Sequence, residues 1–213
     1  QEKSHLNRNT HFIPNAADVS HSQRALDPEL PVHPLLKGIP RPVIGYFGNI
    51  ERRMDFELLQ SVIKMNPDKS FVFAGPVDRE AVPEWFFAVP NVHFTGRLPY
   101  EEMPSMIKGF DVALIPFKKD PYSRTIFPLK LFEYLGAGKP VVATDFNPDL
   151  MEFTGDTVFY CGTKEAFSSA ISEGISNHTE ADIARRLEVA SANTWARRAE
   201  EFENLLNEQI TAR

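Results

Sequence analysis

The chain has 213 residues, 42% of them hydrophobic, a formal charge of −6 and a single cysteine. That length accommodates one core with layers on both sides of a sheet. The negative charge, with no dense basic stripe, argues against a nucleic-acid surface, and Cys161 alone permits neither an internal disulfide nor a cysteine metal cluster.

No run approaches the ~18 to 20 apolar residues that span a bilayer, and Gln1 to Thr10 is polar, unlike a secretory signal, so the expectation is a cytoplasmic protein. The first forty residues carry Pro14, Pro28, Pro31, Pro34 and Pro40 without sustained periodicity and read as a linker laid on a surface, with residues 41–213 as the folded domain. The leader histidines, His5, His11, His21 and His33, read as solvated or turn positions, and His93 as packed in a strand.

From Arg41 onward, short β-rich apolar runs alternate with helical patterns, the pattern of βαβ units. Strands are predicted at Val43 to Phe47, Ser70 to Ala74, Val92 to Thr95, Val112 to Pro116, Pro140 to Ala143 and Val158 to Cys161. Helices are predicted at Asp55 to Lys64, Tyr100 to Lys108, Pro128 to Ala137, Lys164 to Ile175, and Glu180 to Ile210 with a break near Asn193 and an N-cap at Thr194. The fold class is therefore α/β: a Rossmann-like parallel sheet of about six strands with helices on both faces. The aromatic residues from Trp85 to Phe94 read as packing.

Such a sheet binds ligands beyond the carboxyl ends of its strands, which makes the loops at Gly48 to Met54, Gly75 to Asp78, Gly96 to Pro99, Phe117 to Pro128 and Thr144 to Asp149 the candidate site. The first runs Gly48-Asn49-Ile50-Glu51-Arg52-Arg53, where close backbone approach and guanidinium forks suit a diphosphate. Each glycine taken alone is better explained as a tight strand-to-helix turn, and it is the convergence of several such loops on one edge that points to a site.

The most informative stretch is Phe127 to Thr144. Pro128 suits a first helical position, and Phe127 offers no side-chain oxygen to cap the N–H groups that follow, leaving them for an anion. Lys130 adds a full charge to the half charge of the helix terminus, and Glu133 lies on the same face, where a carboxylate suits a ribose diol. Read alone, Lys130 and Glu133 are as well explained by an ordinary helix ion pair.

Gly45-Tyr46-Phe47-Gly48, Phe71 to Pro76, Asn91 to Gly96, Phe110 to Phe117 and Pro128 to Val142, in that order, resemble the C-terminal domain of GT-B glycosyltransferases of the group 1, family 4-like bacterial type. His11 to Asp18 resembles the family's hinge segment, and Asn193-Thr194-Trp195 with Arg198 its terminal helix. The resemblance implies a donor domain for a UDP- or GDP-sugar, facing an N-terminal acceptor domain in a longer protein, active in bacterial polysaccharide synthesis and incomplete as a catalyst alone. Membrane contact would come through the full-length protein or its acceptor. By the same resemblance Glu133 binds the donor ribose, the N–H groups of Leu129 and Lys130 meet the diphosphate, Arg52 or Arg53 supplies a further cation beside Gly48 and Asn49, and Gly96-Arg97-Leu98 contacts the base. The catalytic set so carried over is Lys130, Arg52 and Arg53.

One departure stands out. Many family members have a second glutamate, eight positions before Glu133, that contacts the sugar; here the residue is Thr125. A subset of exopolysaccharide enzymes with a Pro-x-Lys-x-x-Glu-Tyr core resembles the chain more closely. No Asp-x-Asp pair falls in a site loop, so the expectation is transfer without a metal or other cofactor, with charge on the leaving diphosphate held by the protein. A UDP-sugar epimerase half and a non-catalytic nucleotide-binding scaffold are the alternatives.

Overall fold

The computed structural model describes residues 5–7, 9–176 and 178–211. The six apolar runs form strands β1 (Val43–Phe47), β2 (Ser70–Ala74), β3 (Val92–Gly96), β4 (Val112–Ile115), β5 (Val141–Thr144) and β6 (Val158–Cys161), each within one residue of its predicted bounds. Strands β2, β4 and β5 are buried throughout, as strands covered on both faces must be. Every pairing is parallel, in the order β3-β2-β1-β4-β5-β6.

The helices are α1 (Val19–Gln23), α2 (Phe56–Met65), α3 (Glu84–Phe87), α4 (Met103–Lys108), α5 (Leu129–Gly136), α6 (Met151–Thr154), α7 (Lys164–Ser176), α8 (Glu180–Ala192) and α9 (Trp195–Thr211). Their starts have local causes. Asp55 accepts the Leu58 N–H at 2.9 Å ahead of α2, Thr179 and Asp182 form a reciprocal capping box at α8, and Thr194 caps α9 by accepting the Arg197 N–H at 3.3 Å. Helices α2 and α7 pack together against the sheet, while α1, α4, α5 and α8 form a second layer. The Trp85 to Phe94 aromatics pack as predicted, with Phe86 edge-on to Phe56, Phe73 and Phe94.

The leader is more structured than its scattered prolines suggest. Asp18 accepts the His21 N–H at 3.1 Å and opens α1, which packs on α4 and α5. Ala17 and Val19 are 1% and 3% exposed, members of the same core as the sheet. The fit to α5 is close: a Cβ on Gly136 would lie 2.5 Å from Ser22 Oγ and 3.0 Å from Val19 Cγ1.

From β1 the chain proceeds outward through β2 to β3, and from β4 in the opposite direction through β5 to β6. The sheet direction therefore switches between β1 and β4, and a crevice opens at their carboxyl ends. Among the described residues no helix is long and apolar enough to cross a membrane.

Candidate functional site

A cavity of about 440 Å³ lies at that switch point, within the ~300 to 1,000 Å³ typical of small-molecule sites. Phe47, just beyond β1's interior, and Phe117, just after β4, form part of its wall. Arg53, Thr125 and the segment Ile126 to Lys130 supply most of the rest, with Asn15 and Glu133. The chain approaches α5 in an extended conformation, fixed by Asn15 Nδ2 donating to the Phe127 carbonyl at 3.3 Å and Asn147 Nδ2 to the Ile126 carbonyl at 3.0 Å. Phe127 is locked by its rings' contacts with Phe132 and Phe153.

Pro128 occupies the N-cap rather than the first helical position predicted for it. Its ψ of 122° continues the extended approach, so the helix begins one residue later, at Leu129. The consequence for binding is unchanged: proline brings no capping oxygen, and among the described residues no acceptor is found for the N–H of Leu129 or Lys130. Both residues line the cavity, at the positive end of α5.

Lys130 and Glu133 do not form the helix ion pair that their spacing allows. The Lys130 ammonium instead donates to the Tyr46 hydroxyl at 2.7 Å and sits 4.0 Å from the centre of that ring. Burial, and secondarily the charge of Arg53, pull its pKa down to about 7, against the smaller pull upward of Glu133 and Glu51. Burial pushes the Glu133 carboxyl above its ordinary range, with Lys130 opposing. Glu133 Oε1 lies 3.5 Å from the Tyr100 hydroxyl, and His21, read from sequence as a solvated or turn position, stacks on the Tyr100 ring at 4.1 Å. The correction has a simple cause, since helix α1 carries His21 across to the turn that follows β3.

The loop after β1 is held from two sides. Gly48 donates to the Ala74 carbonyl and Ile50 to that of Pro76, while Arg53's carbonyl accepts the Lys118 N–H at 2.8 Å and Asp55 donates to Pro116. This places Arg53 in the cavity wall, ion-paired with Glu51, with its Nε–H buried and without an acceptor. Arg52, the alternative cation, is exposed and lies over the Tyr122 ring outside the cavity lining. Gly48 has a φ of 118°, and a Cβ there would meet Lys130 Nζ at 2.6 Å, so this glycine serves both the turn and the cation.

Of the other predicted positions, Thr125 lines the cavity, its hydroxyl donating to the Tyr122 carbonyl. Asn49 contributes its carbonyl, which holds the Tyr46 hydroxyl at 2.9 Å. Gly96 ends β3 at the sheet edge, Arg97 and Leu98 follow it, and none of the three is part of the lining, although Tyr100, two residues after Leu98, returns the chain to Glu133. Sequence reasoning did not single out Tyr46, Phe47, Phe117 or Tyr134, whose hydroxyl accepts the Phe47 N–H at 2.8 Å. A polar ring inside an otherwise apolar strand was the available signal for Tyr46. Among the described residues no group of three or more His, Cys, Asp or Glu is placed to hold a metal ion.

Residues 41–177 match the family model described as glycosyl transferases group 1. The chain belongs to this family. This group 1 domain is 32% identical over 137 residues to TuaH of Bacillus subtilis (strain 168), named provisionally as a teichuronic acid biosynthesis glycosyltransferase; the match covers 63% of the chain and 34% of TuaH. It therefore spans about a third of that curated relative's length. Among solved structures it is similar to an α,α-trehalose 6-phosphate synthase from Burkholderia multivorans, with a TM-score of 0.72 at 12% identity, covering 94% of this chain and 51% of that one. HepE of Anabaena in complex with UDP gives 0.71 at 17% identity, covering 93% and 57%. At these identities the likeness concerns the fold, which is that of a GT-B C-terminal-type domain.

Proposed function

We propose that this domain binds a nucleoside diphosphate sugar and forms the donor half of a glycosyltransferase acting on a glycan or lipid-linked acceptor. The observation that carries the reading is the cavity at the strand-order switch, where the uncapped N-terminus of α5 presents two free N–H groups beside Lys130 and Arg53. Positive charge from three sources converges there without a strong carboxylate partner for Lys130, which suits a diphosphate. Similarity to HepE, whose structure holds UDP, and to an E. coli structure bound with UDP-2-fluoro glucose favours UDP over GDP as the first nucleotide to test.

In this reading the Leu129 and Lys130 N–H groups, the Lys130 ammonium and the Arg53 guanidinium hold the diphosphate and take up charge as it departs. Glu133 accepts from the ribose diol, and the backbone of Gly96 to Leu98 borders the base. Thr125, in the wall, faces the sugar. The acceptor side belongs to a separate N-terminal domain, in a protein working in the cytoplasm or at the inner face of a bacterial membrane in polysaccharide synthesis. Leaving-group stabilisation comes from these groups and not from a divalent ion.

The test is a thermal-shift panel of UDP- and GDP-sugars with and without EDTA. Ligand at 100 times its Kd raises stability by about 2.7 kcal/mol, and the expectation is a UDP-sugar shift that survives EDTA and vanishes in Glu133→Ala. No shift with any nucleotide sugar refutes donor binding; a shift abolished by EDTA refutes the metal-free form of it.

A further inference from the structure

Tyr46 is fully buried in β1, yet its hydroxyl has two polar partners. A charged ammonium has no acceptor capacity, so in the Lys130 contact at 2.7 Å the hydroxyl must accept; its one proton is then free to donate to the Asn49 carbonyl at 2.9 Å. The hydroxyl orientation is thus fixed by Asn49, and its lone pair is aimed at Nζ. The tyrosine ring adds an electron-rich face 4.0 Å from the same nitrogen, with the Phe117 and Phe47 rings further off at 5.4 and 5.9 Å.

No other hydrogen bond holds the Lys130 side chain among the described residues. The charged groups facing it are Arg53 and Glu51 from the loop after β1 and Glu133 from its own helix, and none is within ion-pair distance of Nζ. The room for Nζ exists because residue 48 is glycine. A lysine side chain with four rotatable carbons is thereby confined to one place by a strand residue that does not line the cavity.

We propose that Tyr46 is a positioning residue for the diphosphate: its hydroxyl, oriented by Asn49, fixes the Lys130 ammonium beside the N-terminus of α5. The role rests on the donor reading above, and acts through Lys130 alone. The hydroxyl also favours the charged form of Lys130, so its loss moves the amine's titration downward and makes diphosphate binding fade at a lower pH.

Tyr46→Phe keeps the ring and removes one oxygen. With the lysines 13C-labelled and Lys130 assigned through Lys130→Met, the Lys130 Cε resonance is titrated in the free domain, and UDP affinity is measured between pH 6 and 8.5. The expected result is a Lys130 midpoint lower by about half a unit to one unit, hence a three- to tenfold weaker UDP affinity at pH 7.5 that recovers toward pH 6. Should Tyr46→Phe not fold, the wild-type sequence carrying 3-fluorotyrosine, a weaker acceptor, is titrated instead and must show a smaller shift in the same direction. An unchanged midpoint in both, with UDP binding intact, overturns the role of Tyr46 alone. A uniform loss of affinity at every pH without a midpoint shift overturns it as well, since a merely structural role gives that pattern. A wild-type domain that binds no UDP overturns the donor reading and this role with it.

Discussion

At the residue scale, Lys130 is held at a cost to stability. Its native pKa of about 7 lies below the ordinary lysine value of ~10.4, so between these limits the unfolded chain binds more protons than the folded one. This group's contribution to stability therefore rises with pH from about 7 to ~10.4 and is lost as pH falls back across that window, with no further loss from it below about 7. Lys139, lowered to about 8 by burial, acts in the same sense. Lys130→Met should raise the melting temperature at pH 6.5 and flatten the rise seen between pH 6.5 and 9 in wild type, leaving the share due to Lys139; scanning calorimetry across that range reads both. The same variant should lose UDP affinity by about 10- to 100-fold, the effect of one hydrogen bond to a charged group. A variant that is more stable and a poorer binder identifies a residue kept for function. Gly48→Ala should do worse on both counts. With φ at 118° and the new Cβ 2.6 Å from Nζ, a cost of roughly 1 to 3 kcal/mol is expected in urea denaturation, together with weaker binding as the ammonium is displaced.

Helix α5 shows, at the scale of the element, what local sequence conveys and what it does not. Its start, its missing cap and the shared face of Lys130 and Glu133 are properties of adjacent residues, and they were legible to within one position. The partners of Lys130 were not, because Tyr46, Phe47 and Phe117 lie 84, 83 and 13 positions away in the chain and look like ordinary core residues of β1 and the end of β4. Only the strand order makes them neighbours of α5. Short helices escaped for a different reason: α1, α3 and α6 have five, four and four residues, fewer than periodicity needs. The free N–H groups of α5 give a paired prediction. Pro128→Ser supplies a capping oxygen that Pro128→Ala lacks, and should be the more stable of the two by about 0.5 to 2 kcal/mol. It should also bind UDP several-fold more weakly than Pro128→Ala, because the serine oxygen occupies a donor the phosphate would use. Equal UDP affinity in the two variants, by calorimetry, would show that those N–H groups do not hold the nucleotide.

At the scale of the whole molecule, the sheet was legible because its strands are continuous apolar runs, and the place of the cavity because doubly wound sheets open a crevice at one edge. The integration of the leader was not legible, since prolines conceal a five-residue helix whose burial depends on α5 being there to receive it. Val19→Asp should therefore lower stability by roughly 2 to 4 kcal/mol in denaturant titration, as a carboxylate placed in the core must; an unchanged midpoint would mean that the leader merely lies on the surface. The same leader brings Asn15 to the cavity and His21 to Tyr100, so the leader and the sheet domain build the cavity and its surroundings together. All these features converge on one claim, that the crevice between β1 and β4 holds a nucleoside diphosphate at the start of α5. A 1H–15N NMR titration of the domain with UDP tests it most directly: the Leu129 and Lys130 amide signals should move downfield in a saturable way with the largest shifts in the chain, and saturation that leaves those two amides unmoved would contradict it.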